Sequence, residues 1–286
     1  MTDSKCLQRG WKNSLATLFK SAREELLVCS PYITDYGIRF VQENISPQFQ
    51  KSGLCTVVTN LTPMNILQGS TEPRALQQLS DRILNFALWH LPKLHAKIYI
   101  ADSRSAIVTS ANLTRGGVEA NYEYGVEFNN RETVQQIRDD LVEYSELGVR
   151  LSQEQLCSYV EVADEVRTAF QQQQRTITRS ARAKFEQLVH KAENELITLR
   201  ISGVSRTQVF ERTIEYLLGR DGAMTTPEIH SRIAAIHPDL CDETIDRIIN
   251  GQHFGKQWKH AVRAAQSHLK ERGIIELVAG RWKLKR

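Results

Sequence analysis

The chain has 286 residues, 41% of them hydrophobic and 24% charged, which excludes wholesale disorder and a collagen-like repeat; at roughly 150 residues per domain it predicts two domains. No run approaches the ~18 uninterrupted apolar residues of a membrane span, and Met1 to Gly10 lack the apolar core of a signal peptide, so the expectation is a soluble, cytoplasmic protein with no membrane partner. The net charge of +4 is unevenly spread: residues 1–150 hold 16 basic and 16 acidic groups, residues 151–250 hold 12 and 15, and residues 251–286 hold 9 and 2. The positive excess therefore sits at the C-terminal end and points to an anionic partner there. The five cysteines (Cys6, Cys29, Cys55, Cys157, Cys241) are scattered and form no CxxC pair, so they read as free thiols rather than as a zinc site or a disulfide framework.

In chain order, Trp11, Leu15, Leu18, Phe19 and Ala22 recur at helical spacing, and Leu26 to Cys29 follow as a short apolar strand that Ser30-Pro31 breaks. A helix is predicted from about Gly37 to Glu43, a β-branched strand over Cys55–Asn60 and a helix over Ala75–Leu84. Leu94 to Ile100 alternate with period two, and Ala106–Thr109 and Tyr124–Phe128 are further strands. Strands interleaved with helices predict a layered α/β domain. Residues 131–200 read as mostly helical, with a Gln-rich stretch at 171–174. From Thr207 an apolar helical face (Val209, Ile214, Leu217, Leu218) runs to Gly222, and Thr226-Pro227 open the next helix with an N-cap and a proline in the first turn. That helix stops near His237-Pro238; a short helix is predicted from about Asp242 and a longer one from Lys256 to Arg272, closed by Gly273. Ile274–Val278 and Arg281–Leu284 form a hairpin.

The segment Leu94–Phe128 carries the chemistry. It contains His95-x-Lys97, then Asp102, then Thr109-Ser110-x-Asn112. If the first strand is extended, His95, Lys97 and Tyr99 share one face and project away from the core, while Ala96, Ile98 and Ile100 pack inward. Ser110 and Asn112, two positions apart, would then join an imidazole and an ammonium around a small pocket. Such a pocket suits a phosphodiester, with Lys and Asn binding phosphoryl oxygens and a neutral imidazole attacking phosphorus.

His95-x-Lys97-x4-Asp102-x6-Thr109-Ser110-x-Asn112 resembles the HxKxxxxD…GSxN motif of the phospholipase D superfamily, with Thr109 in place of the usual glycine. The likeness extends to Ser30-Pro31-Tyr32 and to Glu123, and covers about the first 150 residues. It implies the following roles. His95 is the nucleophile that forms a phosphohistidine, Lys97 and Asn112 hold phosphate oxygens, Ser110 bonds within the pocket, and Glu123 orients His95 through its second ring nitrogen. Asp102 is a structural anchor. That chemistry needs two histidines, one attacking and one protonating the leaving oxygen. His268-Leu-Lys270 lacks the rest of the motif, so the second histidine is expected from a second copy, in a homodimer with its active site on the twofold axis. No metal and no other cofactor are expected.

In the helix from Lys256, the residues Trp258, Ala261, Val262, Ala265 and Leu269 form a core face, and Lys256, Lys259, His260, Arg263 and Ser267 form another, as on a groove-facing recognition helix. Arg281 and Lys283 are candidate phosphate contacts in the hairpin, with Trp282 packed inward between them. The block over residues 205–286 resembles the winged-helix domains attached to bacterial restriction endonucleases, notably in Gly255–Val262 and Gly280–Trp282. His230, His237 and His253 have no partner spacing and read as surface or capping groups.

The expectation is an α/β phospholipase D-like layered domain (1–150), a helical connector (151–204) and a winged helix-turn-helix DNA-binding domain (205–286). The function expected is a metal-independent DNA endonuclease, in a restriction or phage-defence role. Two alternatives remain open: a DNA-binding subunit whose nuclease is gated by a partner helicase, ATPase or other restriction-system subunit, and a phospholipase.

Overall fold

In the computed structural model, which describes residues 4–8, 11–175 and 179–285, the chain divides into two units, residues 1–196 and 197–286. The first is built on one eight-stranded sheet. Its elements are β1 (Ser4–Leu7), α1 (Lys12–Ser21), β2 (Glu25–Cys29), α2 (Asp35–Asn44), α3 (Pro47–Ser52), β3 (Leu54–Thr59), α4 (Pro63–Leu67), α5 (Pro73–Ser80), β4 (Asn85–His90), β5 (Ile98–Ala101), β6 (Ser105–Thr109), a single π-helical turn (Gly116–Ala120), β7 (Gly125–Phe128), α6 (Arg131–Glu146), β8 (Val149–Leu151), α7 (Gln153–Arg175) and α8 (Arg179–Ile201).

The strand order is β1-β7-β6-β5-β2-β3-β4-β8. The β2, β3 and β4 strands run parallel, joined by helical crossovers, and the flanking pairs are antiparallel. Leu26–Cys29 of β2 are all buried, as expected of a central strand covered on both faces. The mixed topology brings the end of β2, the start of β5, the end of β6 and the start of β7 to one edge of the sheet.

Several expectations change. The strand expected over Leu94–Ile100 begins only at Ile98, and Tyr99 does not project outward: it is wholly buried. The reason is α1, whose Phe19 lies against the Tyr99 ring with centroids 6.0 Å apart, joined by Trp11 at 6.2 Å. The Tyr99 hydroxyl donates to the Ala111 carbonyl at 3.0 Å. The predicted helix over Ala75–Leu84 stops at Ser80, and a four-residue turn leads into β4. The strands β1 and β8, the short helices α3 and α4 and the π turn carry too few residues for a periodicity to register. The α7 helix packs on α4 and α5, and its buried Tyr159 donates to the Leu61 carbonyl at 2.6 Å.

The second unit contains α9 (Arg206–Asp221), α10 (Thr226–Ile236), β9 (Asp246–Ile249), β10 (Gln252–Lys256), α11 (Gln257–Glu271), β11 (Ile275–Val278) and β12 (Arg281–Leu284). Its core joins Phe210, Ile214 and Leu217 of α9, Ile229 and Ile233 of α10, and Trp258, Val262, Ala265 and Leu269 of α11. Gly222 and Gly273 stand just past α9 and α11 with φ of 81° and 73°. The α10 cap falls at Thr225 rather than Thr226, because Glu228 closes a capping box with it. The helix expected from Asp242 is absent. A hairpin, β9–β10, stands there, turning at Asn250-Gly251 with φ of 50° and 79°, the left-handed pair that Asn-Gly supplies in a tight turn.

His237 is not a surface group. It is fully buried at the C-terminal cap of α10. Arg200 Nη2 donates to its Nδ1 at 2.6 Å, and its Nε2 pairs with Thr213 Oγ1 at 2.7 Å. The Thr213 hydroxyl donates to the Val209 carbonyl at 2.8 Å, so Nε2 carries the proton and the ring is neutral. Burial, with the Arg200 guanidinium adding to it, pushes the His237 pKa well below its ordinary 6.5. A depressed base binds its proton in the unfolded chain first. Stability is therefore complete above the unfolded pKa and is lost as pH falls below it. Lowering the pH from 7.5 to 5 therefore destabilises the second unit through this linkage. Urea unfolding at both pH values should show that loss in the wild type, and a His237→Asn variant should lose correspondingly less over the same interval.

Candidate active site

Every predicted catalytic residue belongs to the first unit, at the sheet edge described above. His95 is exposed in the segment before β5, and Lys97, two residues on, is 6% exposed. Lys97 Nζ donates to the His95 carbonyl at 2.7 Å and lies 3.2 and 3.3 Å from the two ring nitrogens. Burial lowers the Lys97 pKa, and the negative charge of Glu123 opposes that shift. A cation held at reduced hydration beside an exposed imidazole is prepared for an anionic ligand. The neighbouring Cys29 is no competing nucleophile, because burial pushes its thiol up to about 12.

Ser110 follows β6, and its hydroxyl donates to the Glu123 carboxylate. The other Glu123 oxygen accepts from Asn121 Nδ2 at 3.1 Å. Glu123 is thus held by Ser110 and Asn121 rather than by His95, and Asn121 is a residue the sequence pattern did not single out. Thr109, standing where the family has glycine, donates through Oγ1 to the Tyr124 carbonyl and accepts from Ala111 N–H.

Asn112 lies in a turn, not in an extended strand: Thr114 N–H donates to its carbonyl at 2.8 Å. Its Oδ1 is buried with no hydrogen-bond partner, an open acceptor that calls for a donor. The turn is fixed from several sides. Ser30 Oγ accepts from Leu113 N–H at 3.1 Å, and the Leu113 carbonyl accepts from Thr34 N–H at 3.2 Å. Trp11 Nε1 donates to the Gly117 carbonyl at 3.0 Å. The contact of Ser30-Pro31-Tyr32 with this site is therefore structural: Ser30 positions the residue after Asn112.

Asp102 takes no part in the pocket. At φ 51° in the β5–β6 turn, its carboxylate accepts from the N–H groups of Arg23, Glu24 and Glu25 at 2.9, 2.8 and 2.9 Å. It fixes the entry to β2.

The predicted nucleic-acid contacts belong to the second unit, where most are engaged internally. Lys256 pairs with Asp246 at 2.8 Å, Lys259 with Glu243 at 3.3 Å, Arg281 with Glu228 at 3.0 Å and Lys283 with Glu276 at 3.0 Å. The His260 ring bonds the Phe254 carbonyl at 2.7 Å, and Arg263 is exposed on α11. His268 pairs with Glu211 at 3.0 Å. Among the described residues no group of three or more His, Cys, Asp or Glu is placed to hold a metal, and no helix is long and apolar enough to cross a membrane.

Residues 15–144 match the family model described as "Cardiolipin synthase, PLD-like domain". No curated protein matches the chain. Solved structures similar to part of it include NucT from Helicobacter pylori, at 16% identity and TM-score 0.42 over 52% of this chain and 98% of that one. Nuc, a phospholipase D family member from Salmonella typhimurium, is 13% identical with TM-score 0.40 over 52% and 98%. Phosphatidylserine synthase of Haemophilus influenzae is 14% identical with TM-score 0.39 over 57% and 43%.

Two substitutions separate the roles. A Cβ at Gly117 would lie 2.2 Å from the Asn112 carbonyl oxygen, so Gly117→Ala must push the Asn112 turn outward. Steady-state hydrolysis of a phosphodiester should fall by about 100-fold, the typical effect of displacing a group far less than its own size. Asp102→Ala strands three N–H groups. Thermal unfolding should show a loss of about 2–3 kcal/mol, with the activity of the folded fraction unchanged.

Proposed function

We propose that the protein is a metal-independent DNA nuclease acting through a covalent phosphohistidine. The observation that carries the reading is the His95–Lys97 pair, an exposed imidazole beside a nearly buried ammonium. In the proposed reaction a His95 ring nitrogen attacks phosphorus and the P–O bond to the leaving strand breaks. His95 of a second copy gives its proton to the departing oxygen. That same imidazole then takes a proton from water, whose oxygen displaces His95 and releases the phosphate end. Lys97 Nζ and the Nδ2 end of the Asn112 amide donate to the non-bridging oxygens, so the charge that builds on them meets fixed donors. Glu123 and Ser110 form the rim of the pocket.

The homodimer with its site on the twofold axis follows from the single motif. The second unit is read as a winged helix. The order α9, Met224, α10, α11, β11, β12 supports this, with Met224 and Trp282 exchanging backbone hydrogen bonds at 2.9 and 2.7 Å so that a third strand position flanks the hairpin. Arg263, Arg281 and the lysines of α11 are the proposed DNA contacts, reached by exchanging internal carboxylates for phosphates. A nuclease domain coupled to a DNA-binding domain fits a restriction or phage-defence role in the cytoplasm. The description of the matching family supports a second reading, phosphatidyl transfer or hydrolysis on a lipid, by the same chemistry.

The test is cleavage of DNA in excess EDTA by the wild type and by His95→Ala, beside release of headgroup from cardiolipin and phosphatidylglycerol vesicles. We expect EDTA-resistant strand scission that falls at least 10³-fold in the variant, whose exposed side chain leaves the melting temperature unchanged. Cleavage only with magnesium, or cleavage that survives the substitution, overturns the mechanism. Headgroup release without scission favours the lipid reading, and DNA bound but uncut favours a nuclease gated by a partner ATPase.

A further inference from the structure

Glu123 is a carboxylate within electrostatic reach of Lys97. A carboxylate beside an ammonium ordinarily pairs with it, and a paired ammonium has little charge left to offer a phosphate. Here the two are not paired. Lys97 Nζ bonds the His95 carbonyl and lies against the His95 ring, and both Glu123 oxygens are engaged elsewhere. Oε2 accepts from the Ser110 hydroxyl, and Oε1 accepts from Asn121 Nδ2 at 3.1 Å.

The Asn121 contact is set by the π turn. Asn121 follows Gly116–Ala120 directly, and its N–H donates to the Gly116 carbonyl at 2.8 Å. Its amide lies over Gly116, where a Cβ would stand 3.4 Å from Nδ2. The next residue of the turn, Gly117, is the one that backs the Asn112 carbonyl. The turn is anchored on α1, because Trp11 Nε1 donates to the Gly117 carbonyl at 3.0 Å and Lys12 pairs with Glu119. One short element therefore fixes both the Asn112 turn and, through Asn121, the place of the Glu123 charge. Local π-helical turns are frequent at functional sites for such reasons.

We propose that Asn121 is a positioning residue that acts through Glu123: together with Ser110 it withholds the carboxylate from Lys97, so that the ammonium stays open to a phosphoryl oxygen. The inference rests on the reading of His95, Lys97 and Asn112 as a phosphate pocket, and deepens it. Ser110 alone leaves one carboxylate oxygen without a donor, and that oxygen seeks the strongest donor in reach. In the pocket that donor is Lys97 Nζ, whose present partners are a carbonyl and an imidazole. Asn121 meets the oxygen with a neutral amide instead. A neutral donor satisfies the carboxylate and leaves its charge in place, where it favours the protonated form of Lys97 without forming an ion pair with it.

The experiment titrates inorganic phosphate into the full chain by isothermal calorimetry at neutral pH. The proteins are the wild type, Lys97→Ala, Asn121→Ala, Asn121→Leu, Glu123→Gln and the Asn121→Ala/Glu123→Gln double variant. Asn121 is exposed, so its substitution leaves the melting temperature unchanged. The dissociation constant is expected to rise about five-fold in both Asn121 variants, the effect of losing one hydrogen bond. Glu123→Gln should bind phosphate at least as tightly as the wild type. In the double variant the Asn121 effect should vanish, because no carboxylate remains to be released. Hydrolysis of a small phosphodiester by Asn121→Ala should show the same loss in KM, with kcat within about two-fold of the wild type. Unchanged affinity in both Asn121 variants overturns the proposal. So does a loss that persists in the double variant, which marks Asn121 as a support of the turn itself, or a loss in Glu123→Gln, which marks the carboxylate as part of the phosphate site. If the wild type binds no phosphate, or Lys97→Ala binds it equally well, the pocket reading fails and the proposal with it. If Lys97→Ala abolishes binding and the Asn121 variants do not matter, only the positioning proposal fails.

Discussion

The site depends on how the Ser110–Leu113 turn is clamped. A polar turn at the edge of a sheet has little apolar area to hold it, so its position comes from hydrogen bonds and close backbone packing. Ser30 and Thr34 take the amide and carbonyl of Leu113, and Tyr99 reaches up from the core to the Ala111 carbonyl. Two glycines allow the closest approaches: a Cβ at Gly37 would fall 2.0 Å from the Leu113 oxygen, and one at Gly117 would fall 2.2 Å from the Asn112 oxygen. Those contacts draw on β2, α2, β5 and the π turn together. The mixed sheet is what brings these elements to one edge, so the geometry of Asn112 is a property of the whole first unit.

The clamp gives the pocket its electrostatic character. Lys97 sits just before β5 and is almost wholly removed from water. Its partners are a carbonyl and an imidazole, and neither cancels its charge. The carboxylate within electrostatic reach, Glu123, is itself spent on Ser110 and Asn121. The ammonium thus retains attraction for an added anion, and the unpartnered Asn112 Oδ1 marks an amide not absorbed by the fold. A buried polar group left open costs stability; such costs are commonly concentrated where a ligand will offset them.

What the sequence disclosed follows from which features are local. The motif spacing from His95 to Asn112 is local, and so are the apolar run of β2 and the β-branched run of β3, both of which stand as strands in the structure. The orientation of Tyr99 was hidden. Period two places it beside His95 and Lys97, and only the distant α1, through Trp11 and Phe19, decides that this face is covered. Asp102 was legible as an anchor, but its three N–H partners, some 78 residues earlier, were not. Asn121 and the two glycines act through contacts that no spacing encodes. In the second unit, Asn250-Gly251 announces a tight hairpin turn, yet the flanking Ile245, Ile248 and Phe254 remain exposed, so no buried face marks the strands beside it.

The same distinction bears on the basic C-terminal stretch. Counting charge along the chain gives nine cations against two anions in residues 251–286, and suggests a bare positive surface. In the folded unit Lys283 pairs with Glu276 inside that stretch, and the other acidic partners come from outside it: Asp246 and Glu243 from the β9–β10 region, Glu228 from α10 and Glu211 from α9. Side chains of Lys256, Lys259, Arg281 and Arg272 are therefore already oriented by carboxylates, and any further anion must exchange for one of them. These pairs are solvent-exposed to varying degrees, so each exchange costs little. Charge arranged in this way contributes more to positioning than to affinity.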